Sequence, residues 1–303
     1  MTLPAALAKN LRLPVIAAPM FLASDPGLVT ACRKAGVIGT FPALNQRSSA
    51  GLDAWLKEID AAAGPGDAAY GVNLIVHKSN PRLEEDLEIC AAHKVPLIIT
   101  SLGAAHKVTD RVHDWGGIVL HDVINRRHAE KALEAGVDGL ILVGAGAGGH
   151  GGFLNPFALM AEIRPLFDGP LILAGAISTG AQIAAARVLG ADAAYLGTRF
   201  LATAECAIRD DYKQAILTAR AADIVTTAAV SGIPGNFLKP SLDAAGIDPR
   251  AETKNLDMTE EVKAWRDIWS AGHGVGSITD CPPVAELIQR LATEYQNALN
   301  AVG

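Results

Sequence analysis

The stretch ALEAGVDGLILVGA, residues 132–145, contains the transition that decides the fold. A helical segment ends at a glycine, and an apolar run at 139–145 begins shortly after it. Similar joints occur as AGV at 35–37 and as LGADA at 189–193. A glycine of this kind is typical of a helix C-terminus, and each apolar run has the length of a buried strand. The repetition predicts strands and helices that alternate along the chain.

Outward from this joint, about eight short apolar runs alternate with amphipathic segments such as 125–135 and 180–189. Continuous apolar runs are typical of parallel strands buried on both faces, and eight of them close a barrel. The runs are 14–18, 37–43, 69–76, 95–102, 117–123, 139–145, 170–177 and 193–200. The sequence therefore predicts an α/β fold, a (β/α)8 TIM barrel.

An open doubly wound sheet is the main rival, since it also alternates strands and helices. Its usual fingerprint is G-x-G-x-x-G after the first strand, whereas the first run here ends in Ala18-Pro19-Met20. The glycine-rich segments follow the sixth, seventh and eighth runs instead. Because barrels often bind phosphate with the loops after their last two strands, this position favours the barrel.

Beyond about residue 203 the strand pattern gives way to helical stretches and a polar segment at 231–250 that contains Gly and Pro. The helical stretches are 204–222, 258–270 and 282–300. We expect a barrel domain over 1–222 and a C-terminal helical extension over 223–303 that packs on the barrel and helps to cover its rim.

Composition narrows the function classes. The net charge of -6 argues against a nucleic-acid partner, and the sequence contains no apolar stretch long enough to span a membrane, so a cytoplasmic protein is expected. The four cysteines are widely spaced, which predicts free thiols rather than disulfides or a zinc ribbon. The histidines show no metal-binding spacing, and His128 is expected in an exposed helix, which argues against a metal site.

The segment 144–152, GAGAGGHGG, is the strongest candidate for a ligand loop. Glycines at this density let backbone approach a planar ligand closely and leave N–H groups for its acceptors. Gly148 and Gly149 precede His150, the titratable side chain of the loop, which is expected to face the ligand. The alternative is a mobile loop with an incidental histidine.

Two further segments are typical of phosphate-binding backbone. Ala174-Gly175-Ala176 precedes a helix that opens at Ser178-Thr179-Gly180, and Gly197-Thr198 ends the eighth run. Small residues at strand ends expose N–H groups, and a helix N-terminus favours an anion. On the opposite side, Met20 is expected to pack on an aromatic ring, with core packing an equal alternative. Asn73, an amide inside an apolar strand, is expected to donate to and accept from the edge of a heterocycle.

The ordered motifs LPVIAAPM, GVNL, AGAGGHGG, LAGAI, GADAAYLGTRFLAT and IWSAGHGVGSI run over most of the chain. With them the sequence resembles the FMN-dependent nitronate monooxygenases, formerly called 2-nitropropane dioxygenases. Their superfamily includes an FMN-dependent enoyl-acyl-carrier-protein reductase and NADH:quinone reductases. The resemblance implies FMN as cofactor and a catalytic role for His150. It also implies cofactor contacts from Ala18, Pro19, Met20, Asn73, Gly148, Gly149, Ala174, Gly175, Ala176, Gly197 and Thr198.

Two positions depart from this family's pattern. Asp122 stands beside the expected flavin, where some relatives carry a Lys, and His273 replaces the usual Gln of an A-G-Q-G motif. A carboxylate near the flavin N1 disfavours an anionic reduced ring. Both changes are compatible with FMN binding, but they leave the reaction open.

The resemblance implies first a monooxygenase that oxidises alkyl nitronates with O2 to carbonyl compounds and nitrite. Protonated His150 would supply positive charge for the anionic substrate. The alternative is an NAD(P)H-dependent flavin reductase of an enoyl thioester or quinone. A third class is a non-catalytic barrel that binds a phosphate ligand. The expected partner is a small-molecule substrate, with NAD(P)H in the alternative, and a homodimer is compatible with the sequence.

Overall fold

The computed structural model describes residues 3–103, 105–251 and 267–302 of the chain. Eight parallel strands form a closed barrel, in which the first strand pairs with the last. The barrel strands are β1 (Val15–Ala17), β2 (Ile38–Pro42), β3 (Tyr70–Ile75), β4 (Leu97–Ser101), β5 (Ile118–Val123), β6 (Gly139–Val143), β8 (Leu171–Ala174) and β9 (Ala193–Leu196). A short strand outside the barrel, β7, comprises Gly149–His150. The predicted (β/α)8 barrel is confirmed.

Every predicted apolar run contains one of these strands, but the last two runs extend beyond them. The run at 170–177 leaves the sheet after Ala174, because Gly175 and Ala176 adopt positive φ angles of 126° and 57°. The run at 193–200 leaves it after Leu196. Small apolar residues continue past both strand ends, so the prediction from composition put the ends of these two strands several residues too far along the chain.

Helices surround the barrel, and their bounds follow the predicted joints closely. They are α1 (Ala5–Ala8), α2 (Pro26–Ala35), α3 (Ser49–Ala61), α4 (Leu83–Ala92), α5 (His106–Asp114), α6 (Arg126–Glu134), α7 (Pro156–Ile163), α8 (Gly180–Val188), α9 (Thr198–Leu201), α10 (Asp210–Thr218), α11 (Lys239–Ala244) and α12 (Val284–Val302). The joint glycines Gly36, Gly136 and Gly190 all have positive φ, at 85°, 76° and 108°. The three repeated phrases therefore mark the same helix-to-strand turn, as predicted.

The strands separate two apolar layers, because successive side chains along a strand point to opposite faces. One layer fills the barrel with branched side chains, and the other packs the outer strand faces against the helices. Burial of each such side chain stabilises the fold by about 1.5–3 kcal/mol. The barrel interior includes Ile16, Ile38, Leu97, Ile99, Leu120, Ile141 and Ile172.

The chain between β9 and α12 is not purely helical, contrary to the expectation for the extension. Strand β10 (Ile224–Thr227) pairs antiparallel with β11 (Gly235–Leu238), and β11 pairs with β7 in the glycine-rich loop. β10 (IVTT) and β11 (GNFL) are only four residues long, and β11 begins with Gly and Asn, so neither shows an apolar run of the length seen in the barrel strands. The hairpin fixes the loop that carries His150 to the C-terminal part of the chain.

The last helix, α12, packs against both α8 and α2. This is the position of the eighth helix in the ring around a barrel, because α8 follows the seventh barrel strand and α2 follows the first. The predicted stretch 282–300 coincides with it. Of the other two stretches, 204–222 shortens to α10, whereas most of 258–270 lies outside the described residues. The boundary at residue 222 remains a prediction.

Candidate active site

One large cavity, of about 890 Å³, opens at the carboxyl ends of the barrel strands. Barrels of this kind carry their active sites at that end, where the loops after the strands meet. All of the residues that the sequence assigned to catalysis or to the cofactor line this cavity. They are Ala18, Pro19, Met20, Asn73, Asp122, Gly148, Gly149, His150, Ala174, Gly175, Ala176, Gly197 and Thr198.

One side of the cavity is built from backbone. We call the segments 144–152, 174–176, 197–198 and 271–274 together the glycine wall. The carbonyl of Gly146 accepts hydrogen bonds from Ala176 N at 3.3 Å and from His273 N at 2.9 Å. A Cβ on Gly272 would overlap this same carbonyl oxygen. The segments therefore approach each other more closely than side chains allow.

Thr198 has a structural task within this wall. Its Oγ1 accepts a hydrogen bond from Gly272 N at 2.9 Å, which joins the eighth strand end to the 271–274 segment. A Cβ placed on Gly197 would have no protein atom closer than 3.7 Å. Gly197 thus leaves room in the cavity beside Ala18 and Met20.

The N-terminus of α8, which the sequence assigned to an anion, is already capped by the protein. Gln182 Oε1 accepts from the amides of Ser178 and Thr179 at 2.7 and 3.1 Å. Glu294 Oε2 from α12 accepts from Gly180 N at 2.7 Å. The Ser178 hydroxyl, in contrast, is buried without a hydrogen-bond partner among the described residues. The Ser178 hydroxyl is therefore the group of this turn that is available to hydrogen-bond a ligand.

His150 lies in β7 and is held by the hairpin. Its Nε2 lies 2.8 Å from Ser231 Oγ, and the Ser231 hydroxyl is 3.2 Å from the carbonyl of Ile233. A serine that donates to this carbonyl accepts from Nε2–H, which places the proton of the neutral ring on Nε2. Burial lowers the pKa of His150 to about 4. The imidazole is therefore neutral at pH 7, which corrects the expectation that it supplies positive charge.

Asn73 is buried in β3, and its amide group is engaged with the neighbouring strand. Nδ2 donates to Ile99 O at 3.2 Å and to Ser101 Oγ at 3.3 Å. The donors expected to meet a heterocycle edge thus join β3 to β4. Met20 is half-buried beside Gly197, and its backbone N donates to Ser24 Oγ at 2.9 Å.

Another part of the cavity is lined by side chains of β5 and α6, and β5 pairs with β6, the strand that leads into the glycine-rich loop. We call His121, Asp122, Arg127, His128 and Lys131 together the side-chain wall. Sequence reasoning missed four of these five residues and placed His128 on an exposed helix. His128 is indeed exposed, but it lies at the mouth of the cavity. The spacing 127, 128 and 131 on one helix face was the available signal.

Two buried oxygens at the ends of β5 and β9 lack partners among the described residues: Asp122 Oδ1 and Tyr195 Oη. Burial raises the pKa of Asp122 to about 7, although the residue keeps some exposure toward the cavity. Burial also raises the pKa of Tyr195, and the nearby Asp122 charge raises it further. Tyr195 was missed, although a tyrosine in an apolar strand two residues before Gly197 is a visible signal.

His121 is tied to the barrel rather than free to titrate. Its Nδ1 lies 2.7 Å from Thr100 Oγ1, and its pKa falls to about 4, chiefly because of burial and to a lesser extent because of His128. His273, the replacement noted in the C-terminal motif, packs its ring against Gly146. Both its backbone N–H, which donates to Gly146 O, and its ring therefore contact the glycine wall.

Within residues 3–103, 105–251 and 267–302, no group of three or more His, Cys, Asp or Glu side chains is arranged to hold a metal ion. Of the free thiols, those of Cys32, Cys90 and Cys206 are buried and that of Cys281 is half-buried. No helix in the described part of the chain is long and apolar enough to cross a membrane.

Residues 82–294 match the family model described as nitronate monooxygenase. The chain belongs to the nitronate monooxygenase family. The matched segment includes the whole glycine wall and the side-chain wall. It leaves out Ala18, Pro19, Met20 and Asn73, which the barrel brings to the same cavity from the first and third strands.

Individual relatives and structures agree with this family. A nitronate monooxygenase of Paraburkholderia phytofirmans is 33% identical over 202 residues, 60% of this chain and 55% of that protein. A Mycobacterium tuberculosis dehydrogenase, named for a hydroxylated indene-carboxyl-CoA, is 27% identical over 232 residues, 76% of this chain and 64% of that protein. The chain thus spans less than two thirds of either relative. FabK from Thermotoga maritima superposes with a TM-score of 0.84 at 25% identity, over 98% of this chain and 96% of that one.

Proposed function

We propose that this member of the nitronate monooxygenase family is an FMN-dependent oxidoreductase that oxidises alkyl nitronates with O2 to carbonyl compounds and nitrite. One observation carries the proposal. The residues that the family resemblance assigns to flavin and catalysis come from strands one, three, five, six, seven and eight, and all of them line one cavity. Their convergence supports a single redox site at the barrel rim.

The residues present fit FMN. The glycine wall offers closely packed backbone, and Ser178 Oγ and Tyr195 Oη are buried hydroxyls that still need partners. A phosphate and a heterocycle provide such partners. The segments 174–178 and 197–198 would hold the phosphate, and Met20 and Gly149 would line the ring. Bound there, FMN supplies the redox chemistry by accepting electrons from the substrate and passing them to O2.

His150 would act as a neutral imidazole at the working pH. Because burial lowers its pKa to about 4, it would orient the substrate as a neutral ring rather than attract an anion. Attraction of an anionic nitronate falls instead to the cations at the mouth, Arg127 and Lys131. Ser231 holds the imidazole in place through the 2.8 Å contact with Nε2.

The deciding experiment mixes the purified flavoprotein with propyl nitronate under anaerobic conditions and follows the flavin spectrum, then measures nitrite release in air. We expect a rapid change of the flavin absorbance and stoichiometric nitrite. An unchanged flavin spectrum together with no nitrite would remove nitronate oxidation. A colourless protein that takes up no added FMN would remove the flavin proposal and leave a phosphate-binding barrel.

A second candidate is an NAD(P)H-dependent reductase of an enoyl thioester or quinone. Two observations favour it: Asp122 lies beside the expected flavin, where a carboxylate opposes an anionic reduced ring, and one relative is named for a CoA thioester. Rapid bleaching of the flavin by NADH or NADPH without nitronate would support this reductase. Slow bleaching by both nucleotides would count against it.

A further inference from the structure

The N-terminal turn of α6 has an unusual charge. It begins with Arg126, Arg127 and His128, and it contains no acidic residue. The helix dipole disfavours cations at this end by about 0.3–1 kcal/mol each. Departures from such local charge preferences are expected at functional sites. The cationic turn therefore indicates a role other than stabilising the helix.

Some of the cationic side chains of α6 line the cavity, and one does not. Arg126 bonds Glu130 at 2.8 Å and does not line the cavity, whereas Arg127 and Lys131 do. Within the described residues, neither Arg127 nor Lys131 forms an ion pair with a carboxylate. His128 lies between them, and its pKa is lowered first by burial and then by their two charges. Three basic side chains thus share one face at the cavity mouth.

This positive charge is not balanced by the rest of the described cavity lining. Asp122 is the carboxylate among the lining residues, and it lies at the end of β5, below the mouth. The protein as a whole carries a net charge of -6, so the positive charge at the mouth is opposite in sign to the net charge of the chain. A positive patch at the entrance of a cavity concentrates anionic ligands.

We propose that the cavity mouth beside α6 binds a ribose phosphomonoester, the group that distinguishes NADPH from NADH and CoA from dephospho-CoA. Residues four apart on a helix place their Cβ atoms about 5–6 Å from each other, so Arg127 and Lys131 can grip one compact dianion. A phosphomonoester carries close to two negative charges at neutral pH, and arginine matches its oxygens with paired donors.

The dimensions of the cavity agree with a long ligand. At about 890 Å³ it lies near the upper end of the roughly 300–1,000 Å³ of ligand pockets. The lining runs from Met20 and Gly197 at one side to Lys131 at the other. The inference rests on the proposed function in one respect: the reactive end of the same ligand meets the flavin, while its phosphate stays at α6.

The direct test measures binding without turnover. Adenosine 3′,5′-bisphosphate and adenosine 2′,5′-bisphosphate are compared with AMP by calorimetry on the purified protein at low ionic strength. We expect one bisphosphate to bind at least about tenfold more tightly than AMP, as for hydrogen bonds to a charged group. R127Q and K131Q should each lose most of this preference. R126Q removes the same charge one residue away, outside the cavity, and should keep it.

Equal affinity for AMP and both bisphosphates, or the same loss in R126Q as in R127Q, would overturn the proposal. The two bisphosphates separate the two sources of the group. A preference for the 3′-phosphate, with tighter binding of CoA than of dephospho-CoA, assigns the site to a CoA-type substrate. A preference for the 2′-phosphate, with faster flavin reduction by NADPH than by NADH, assigns it to the electron donor.

The same measurements separate this inference from the proposed function. Phosphate-selective binding that depends on Arg127 and Lys131, in a protein that oxidises no nitronate and accepts no hydride, would leave the site standing and remove the redox function. Nitronate oxidation without any selectivity between AMP and the bisphosphates would do the reverse.

Discussion

The two walls of the cavity are built in different ways. The glycine wall is backbone, and its segments approach so closely that a Cβ on Gly272 would overlap Gly146. The side-chain wall is an array of titratable groups on β5 and α6, of which Asp122 and His121 have shifted pKa values. Backbone cannot be exchanged by a point mutation, whereas side chains can. We expect the first wall to hold what every reaction of the site shares, and the second to select the ligand and set the pH dependence.

The sharpest challenge to this division is His150, because it is a side chain carried by the glycine wall. We predict that His150→Ala lowers turnover with propyl nitronate by more than about tenfold, the lower part of the range for a general acid or base, and keeps the flavin. Turnover and the flavin absorbance of the same preparation give both quantities. Full turnover in the variant would reduce His150 to a residue that fills space.

The glycine wall itself is broken by Gly272→Ala. The added Cβ would collide with Gly146 O and lie within 3.4 Å of Gly148 and Ala147, so the segments must move apart. We expect a loss of about 2 kcal/mol in the free energy of unfolding, typical of overpacking, together with weaker FMN uptake. Denaturant titration and flavin content measure these effects. Gly66→Ala, at a site with no atom within 4 Å, is the matched control.

The side-chain wall is tested by Asp122→Asn through its pH dependence. Burial raises the pKa of Asp122 from 3.8 to about 7 in the folded protein, so the folded state keeps a proton that the unfolded chain loses. The wild type therefore loses stability as the pH rises from about 4 to 7, and the penalty is complete above 7. The variant should lack this loss and be the more stable protein at pH 8. Parallel stability curves at pH 4 and pH 8 decide the point.

The smallest effect belongs to the capped turn before α8. Thr179→Ala removes a capping box and should cost about 1 kcal/mol of stability, without a change in FMN affinity. Ser178→Ala should leave the stability unchanged and weaken FMN binding, because its hydroxyl is buried without a partner among the described residues. Unfolding free energies and FMN dissociation constants of both variants are compared. A loss of FMN affinity in Thr179→Ala alone would reverse the assignment of the two hydroxyls.

The barrel and the glycine wall could be predicted from the sequence because their determinants are local. Gly36, Gly136 and Gly190 each report a positive φ at a helix end, and the apolar run before each rim loop shows which strand aims at it. The family resemblance joined Ala18, Pro19, Met20 and Asn73 to the same site, although no local pattern connects them to the glycine-rich segments. All of them line the cavity, although their contacts with a cofactor remain a prediction.

What could not be predicted depends on distant partners. The hairpin strands β10 and β11 are too short to show a pattern, and β11 also pairs with β7, more than eighty residues away in the sequence. The neutral state of His150 and the raised pKa of Asp122 follow from burial, which a residue's own sequence position does not report. Tyr195 and Lys131 were overlooked because each looks ordinary in its own element.

The position of α12 has a consequence for how the protein is made. Because this helix packs against both α8 and α2, the ring around the barrel joins segments that lie far apart in the sequence. Glu294 of the same helix also accepts from Gly180 N at the cavity rim. During synthesis α2 and α8 leave the ribosome before α12 does, so the faces that they turn toward α12 expose apolar surface until that helix emerges. Docking of α12 then closes the ring and caps the rim turn before α8 in the same event.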